Sequence, residues 1–312
     1  MTKNSRAANA CKISVLLLFS SILLGCNFAP SYQQPQDVVA ATVPDATPAP
    51  ALAPAVLAAA QADALQWLAD DRLRHTVALA LHNNRDLRIA ADNVAKARAQ
   101  YGIARADQLP SITAQLQGQR SRSSADVSNS TRLVNEQVSA SIGFASYEVD
   151  LWGRIRNLNA AAWQQFLQVQ ENRRGVEIAL IAEVANAWLT LAADQERLAL
   201  AQQTLDTREQ SYALMRRMFQ LGATSGLALA QNLGTVETAR GDVALYTAQL
   251  ARSHNALQLL VGAALAAEAL PPAGWLQAPA QAVWPALPQA LPSSVLLARP
   301  DVQAAEHALI AQ

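Results

Sequence analysis

The apolar positions of this chain change period several times, and each change marks an element. Leu65, Leu68, Leu73, Val77, Ala80 and Leu81 recur at helical steps, which predicts a helix from Asp63 to about Asn83, punctuated by Asn83-Asn84. A second helix is expected from Asp86 to Ala106, with Leu87, Ala90, Ala91, Val94 and Ala97 on one side and Pro110 closing it. The period then falls to two. Ile112, Ala114 and Leu116 alternate with Ser111, Thr113, Gln115 and Gln117, and after a polar stretch Val138, Ala140, Ile142 and Phe144 alternate with Gln137, Ser139, Ser141 and Gly143. Strands are therefore expected at about 109–119 and 136–149. From Gly153 onward a seam near 3.5 residues runs through Ile155, Leu158, Phe166, Val176, Leu180, Val184, Leu191, Leu205, Met215 and Phe219. About sixty-five helical residues would span on the order of 100 Å. Gly222-Ala-Thr-Ser225-Gly226 breaks the seam, Gly222 as a C-terminal cap and Thr224 or Ser225 as the next N-terminal cap. A return helix carries Leu229, Leu233, Val236, Val243, Leu250, Leu257 and Val261, so the helical hairpin covers about 153–262. Prolines from Pro271 to Pro292 make an irregular connector, and Arg299-Pro300-Asp301 opens a new helix resembling the start of the second one.

Alternation cannot decide between a soluble sheet and a membrane barrel. In the first the polar face meets water, and in the second the apolar face meets lipid. The absence of further evident strands and the very long flanking helices favour the barrel.

Composition sharpens this picture. The 312 residues carry 24 Lys+Arg and 24 Asp+Glu, so a dedicated nucleic-acid binder is disfavoured. Aromatics make up only 5% of the chain, and Ala and Leu dominate the apolar content, as in long helices. The two cysteines, Cys11 and Cys26, both precede residue 30, which excludes a disulfide framework or a paired-cysteine zinc site in the body. Lys3, Arg6 and Lys12 precede an apolar run, Ile13–Leu24, too short to span a bilayer. The run ends in Leu23-Leu24-Gly25-Cys26, similar to a bacterial lipobox, so residues 1–25 read as a lipoprotein signal peptide and Cys26 as the lipidated N-terminus. A plain secretory signal with a chance cysteine is the alternative. Residues 26–60, rich in Ala and Pro, read as a tether. A covalent lipid on Cys26 is the only expected modification, with no cofactor and no metal.

No catalytic constellation is evident. Glu148 and Asp150 would share one face of a strand end, as paired carboxylates could. A charged ring near a barrel mouth, or a junction hydrogen bond, is the plainer role. His75, His82, His254 and His307 have no metal-ligand spacing. The Gly222–Gly226 stretch is not a nucleophile elbow. Arg173-Arg174 and Arg216-Arg217 read as solvated faces, and Trp163 and Trp188 as packing residues.

The element order resembles the TolC-like outer membrane factor family, in its OprM/NodT-type lipoprotein branch. The resemblance is carried by the lipobox with Ala29-Pro30 and Tyr32-Gln33-Gln34-Pro35, by Trp67, Asp71, Leu73 and Asn83–Leu87, and by Tyr147-Glu148-Val149-Asp150-Leu151-Trp152-Gly153-Arg154. Leu291-Pro292-Ser293, Arg299-Pro300-Asp301 and Ala304–His307 resemble the opening of that family's second repeat. On this basis residues 61–290 would be the first structural repeat, and 291–312 the start of a second that stops early. The resemblance implies a mainly α protein with a membrane β part, assembled as a homotrimeric α/β barrel channel. It would be lipid-anchored in the outer membrane, with its helices in the periplasm. It would work with a periplasmic adaptor (membrane fusion) protein and an inner-membrane pump, as a passive conduit for drugs and other small amphiphiles and not as an enzyme. It places adaptor contacts at Gly222, Thr224, Ser225, Gly226 and Leu227, and the strand-to-helix junction at Tyr147, Glu148, Asp150, Trp152 and Gly153. Two positions depart from the family at the tip. Ala228 stands where an acidic residue is usual, and Met218 where an arginine precedes the tip aromatic. A periplasmic coiled-coil structural or adaptor lipoprotein, or a non-functional channel fragment, are the alternatives.

Overall fold

A computed structural model describes residues 29–30, 32–35, 65, 68–122, 134–144, 147–277 and 293–312. The expected signal peptide, Cys26, most of the tether, Trp67, the inter-strand loop and part of the proline-rich connector lie outside these residues. The protein is mainly helical. Its elements are α1 (Asp71–Asn83), α2 (Arg85–Ala106), β1 (Ile112–Arg122), β2 (Val134–Phe144), α3 (Arg154–Gln220), α4 (Gly226–Val261) and α5 (Pro300–Ile310). Short 3₁₀ turns lie at Ala267–Ala269, Trp275–Gln277 and Ser293–Ala298. The chain forms two compact units. One comprises residues 1–34, 95–168 and 306–312, the other 35–94 and 169–305.

The larger unit holds the core. Leu73, Val77 and Ala80 of α1, Leu180, Val184, Trp188 and Leu191 of α3, and Leu257 and Val261 of α4 bury one another. Polar groups fix how they meet. The Ala269 carbonyl accepts from the Trp188 indole N–H at 3.0 Å and lies 2.6 Å from the Thr76 hydroxyl. Trp275 stacks edge-on against Trp188, ring centroids 4.9 Å apart, and donates its own N–H to Asp70 at 2.9 Å. Asp70 also caps α1 through the amides of Arg72 and Leu73. That capture begins the helix at Asp71, eight residues later than hydrophobic spacing alone suggests. The seam of α3 is buried where it meets this core. Towards the hairpin tip it opens, with Leu214 and Phe219 exposed. One 18-residue window of α3 is apolar enough for a membrane span by length and composition. The burial of Leu180, Ile181, Val184, Trp188 and Leu191 in the core gives such apolar content a sufficient use.

Asn84, only 8% exposed, joins three helix ends. Its amide N–H closes α1 on Ala80, its side-chain oxygen accepts from Leu87 in the first turn of α2, and its side-chain nitrogen donates to Leu260 near the end of α4. Gly262 ends α4 with φ 73°, against the backbone of Asn83.

In the smaller unit β1 and β2 form a two-stranded antiparallel sheet. Its register sorts the faces. Ile112 pairs with Phe144, Ala114 with Ile142, Leu116 with Ala140 and Gly118 with Val138, while Thr113, Gln115, Gln117 and Gln119 oppose Gly143, Ser141, Ser139 and Gln137. β1 sits three residues later than expected at both ends, and β2 begins two residues earlier and ends five residues earlier. At the start of β1 the reason is the turn that follows α2, where Gln108 and Leu109 bond back to Arg105 and Ala106 and use up the chain to Pro110. The apolar face ends at an Arg120–Glu136 ion pair of 2.7 Å. Tyr101, Trp163 and Phe166 stack between α2 and α3, with centroids 5.1 and 5.2 Å apart. Tyr32 donates to Glu306 of α5 at 3.0 Å, and His307 meets Gln164 at 2.7 Å.

The two glycines that end the long helices test this packing. An added Cβ at Gly262 would lie 2.7 Å from the Asn83 carbonyl oxygen, whereas at Gly222, also at positive φ, it would meet nothing. Gly222→Ala should cost about 1 kcal/mol, the ordinary left-handed penalty. Gly262→Ala should cost about 3 kcal/mol or more, because the Asn83 backbone must also move aside. Chemical unfolding of the two variants checks this, and equal losses would contradict it.

Candidate functional site

The strand-to-helix junction is built by a single loop. Tyr147–Asp150 is irregular chain, not strand, so the expected second strand ends early, at Phe144. Glu148 and Asp150 are therefore not a carboxylate pair on a strand face. Glu148 receives the Arg154 guanidinium through both oxygens, at 3.0 and 2.5 Å. Asp150 accepts the Arg156 amide at 2.9 Å, satisfying one of the free amides in the first turn of α3. Gly153, at φ 80°, supplies the sharp change of direction between loop and helix. The Arg154 hydrogen bond holds the Glu148 carboxyl below its ordinary value, and the Arg156 amide does the same for Asp150. Arg154 is raised in turn by Glu148. Both carboxylates are thus committed as charged acceptors, which is the opposite of what a general acid requires.

Beside this loop is an open cavity of about 580 Å³, bounded by Asp107, Leu109, Pro110, Tyr147, Glu148, Arg154 and Leu158. Val149, Leu151 and Trp152 do not line it and stand exposed.

The hairpin tip lies in the other unit. Ala223 bonds back to Met218 and Gly222 to Phe219, a Schellman closure around Gly222 at φ 74°. Ser225 caps α4, its hydroxyl accepting from the Ala228 amide at 3.2 Å. Thr224 makes no such cap. Gly226 lies close to the Phe219 ring, which leaves Leu221 and Leu227 exposed at 83% and 70%. The tip is thus a turn capped on both sides with an apolar surface. Each of the two sites predicted from sequence is built by its own local contacts.

Two features of the hairpin escaped the sequence reading. Asp194, 1% exposed on α3, accepts from Ser253 of α4 at 2.5 Å and pairs with Arg197 at 2.7 Å. Arg240 of α4 bridges Glu209 of α3 and Glu237, each at 2.9 Å. A carboxylate directly after the mostly apolar run Trp188–Ala193 was the available signal for the first. Among the described residues no group of three metal-binding side chains converges.

The junction is open to a pH test. The folded carboxyls titrate below their ordinary values of 4.5 for Glu148 and 3.8 for Asp150. Their contribution is therefore complete above about pH 4.5 and is lost as pH falls through the depressed folded values. Trp152 emission, taken as the difference between wild type and Trp152→Phe, should stay constant from about pH 7 to about pH 4.5 and move only below that. A transition between about pH 5 and 7 would contradict this assignment.

Residues 76–263 match the outer membrane efflux protein family. The chain is 39% identical over 298 residues to the probable efflux pump outer membrane protein TtgC of Pseudomonas putida, covering 94% of this chain and 60% of that protein. It is 39% identical over 304 residues to outer membrane protein OprJ of Pseudomonas aeruginosa, covering 95% of this chain and 60% of that protein. Among solved structures it is similar to the open state of the MtrE outer membrane channel of Neisseria gonorrhoeae, with TM-score 0.67 and 32% identity over 92% of this chain and 61% of that one. It is also similar to a membrane protein of Pseudomonas aeruginosa, with TM-score 0.72 and 36% identity over 92% of this chain and 62% of that one. The chain thus spans about three fifths of the length of these relatives, and it belongs to the outer membrane efflux protein family.

Proposed function

We propose that this chain acts in the outer membrane as part of an efflux channel, a passive conduit that carries drugs and other small amphiphiles outward from a pump. The observation that carries the reading is the β1–β2 hairpin. Every residue of both strands is exposed, including Ile112, Leu116, Val138 and Ile142 at 69–81%, yet the register keeps all the apolar side chains on one face. Water is a poor environment for that face and hydrocarbon a good one. The opposite face of Thr, Gln, Ser and Gly suits a wet lumen.

An isolated two-stranded sheet is marginal and has two unpaired edges, which lipid does not tolerate. The hairpin therefore needs further strands beside it. A trimeric barrel with strands from several subunits supplies them, and the exposed seam of α3 suits helix packing in a periplasmic tunnel. The family is one of channels and not of enzymes, and the committed Glu148 and Asp150 suit a structural junction. In this reading Cys26 carries the lipid anchor, residues 1–25 are the signal, residues 26–60 are the tether and residues 291–312 open a second repeat. The apolar tip at Gly222, Thr224, Ser225, Gly226 and Leu227 receives a periplasmic adaptor, which links the channel to an inner-membrane pump. TtgC and MtrE, named as an efflux pump component and an outer membrane channel, support this reading by likeness.

Drug accumulation tests it. In cells lacking their own outer membrane channel but retaining pump and adaptor, expression of the complete gene should lower accumulation. Leu221→Asp with Leu227→Asp should weaken adaptor capture by about tenfold or more and raise accumulation again, with the protein still present in the membrane. Unchanged accumulation with correctly placed wild-type protein would overturn the proposal.

A further inference from the structure

Charge in the β1–β2 hairpin is confined to one face and one end. The two strands hold three charged residues, Arg120, Arg122 and Glu136. The register puts all three on the same face as the apolar rows Ile112/Phe144, Ala114/Ile142, Leu116/Ala140 and Gly118/Val138, directly beyond the last of them. The opposite face carries none, and its rows at the same end are Gln119/Gln137 and Ser121/Asn135. A charge that needed only water would be better placed on that polar face. These arginines instead prolong the apolar face, which suits a neighbour that is apolar along most of its length and negatively charged at its end.

Position along the strand identifies that neighbour. β1 starts after α2 and β2 ends before α3, so the arginines lie at the end remote from the helices. With the helices in the periplasm, that end meets the outer leaflet. The apolar rows from Ile112 to Gly118 cover about 20 Å along a strand, and Arg120 lies about 7 Å further on. Its guanidinium therefore reaches headgroup level, with the side chain free to extend outward. Glu136 takes the Nε side of Arg120 at 2.7 Å. A guanidinium has five N–H donors, so others remain. Arg122 stands opposite Val134, and both arginines are exposed. Two arginines against one glutamate leave one positive charge, carried on donors whose fork matches a phosphate.

We propose that Arg120 and Arg122 form a binding site for the phosphate groups of an outer-leaflet lipid, whose acyl chains lie along the apolar rows. Residues two apart on one strand face stand about 7 Å from each other, close enough for two long side chains to share one phosphate. Glu136 is a positioning residue that holds Arg120 at the strand end. This rests on the reading that the β1–β2 hairpin crosses the outer membrane.

Native mass spectrometry of the full chain tests the site. The protein is reconstituted into phosphatidylethanolamine vesicles containing lipid A with both phosphates, or lipid A from which they have been removed. It is then extracted in detergent and weighed with the lipid it retains. A Leu116→Trp variant, made in the native and the Arg120→Gln/Arg122→Gln backgrounds and exposed to brominated acyl chains, reports whether the hairpin is in lipid. The expected result is retention of phosphorylated lipid A by the native protein, and about fivefold or more less by Arg120→Gln/Arg122→Gln, with Leu116→Trp quenched in both. Dephosphorylated lipid A should be retained equally poorly by both. If the double variant loses the Leu116→Trp quenching, Arg122→Gln alone is scored by the same criteria. Equal retention by the two proteins, or of the two lipids, with Leu116→Trp quenched overturns the site and leaves the channel reading intact. Inorganic phosphate that competes at concentrations equal to those of lipid A would show that the arginines take a soluble anion, which also overturns the lipid site. No quenching at Leu116→Trp in the native background would overturn both.

Discussion

The larger unit depends on the carbonyl oxygen of Ala269. It meets two buried donors, the Thr76 hydroxyl from α1 and the Trp188 indole from α3. A carbonyl that meets two donors in an apolar core is a strong constraint, because losing either donor leaves it with a single partner away from water. The connector after α4 is thereby fixed to two helices distant in sequence. Trp275 then stacks on Trp188 and reaches the Asp70 cap of α1, so helix start, connector and core share one network. Asn84 performs a similar service at the opposite end of α1, where three helix ends meet.

The smaller unit follows a different logic. Its sheet has a sorted register and no core of its own, since both faces are exposed. A soluble protein would gain by covering the apolar face, and nothing among the described residues does so. In the proposed channel the hairpin meets hydrocarbon on one face, water on the other, and further strands at its edges. The junction loop leads from the sheet into α3, with Glu148 paired to Arg154, Asp150 accepting the Arg156 amide and Gly153 at positive φ.

Much of this was legible in the sequence wherever chemistry is local. Period two revealed the strands and their faces, and a seam near 3.5 revealed the hairpin. Gly222 and Ser225 announced their caps because glycine at the end of a helical run and serine before a new one have few other uses. Boundaries were less legible. Hydrophobic spacing extended the first helix back to Asp63, but the Asp70 carboxylate captures the amides that define its start. Contacts between residues far apart in sequence left little trace. Thr76 with Ala269, Ser253 with Asp194, and Gly262 against Asn83 each join positions that no periodicity connects. Glu148 and Asp150 were read as sharing a strand face, when an ion pair and a helix-start contact had separated their roles.

In the proposed channel, lipid meets the Val138–Ala140–Ile142–Phe144 face. A nitroxide scan of residues 134–144 in the reconstituted protein tests it most directly, read by collision with oxygen, which concentrates in lipid, and with a water-soluble nickel chelate. A period of two is expected, with oxygen maxima at Val138, Ala140, Ile142 and Phe144 and nickel maxima at Gln137, Ser139, Ser141 and Gly143. Nickel access on both faces, or oxygen maxima on the polar one, would contradict it.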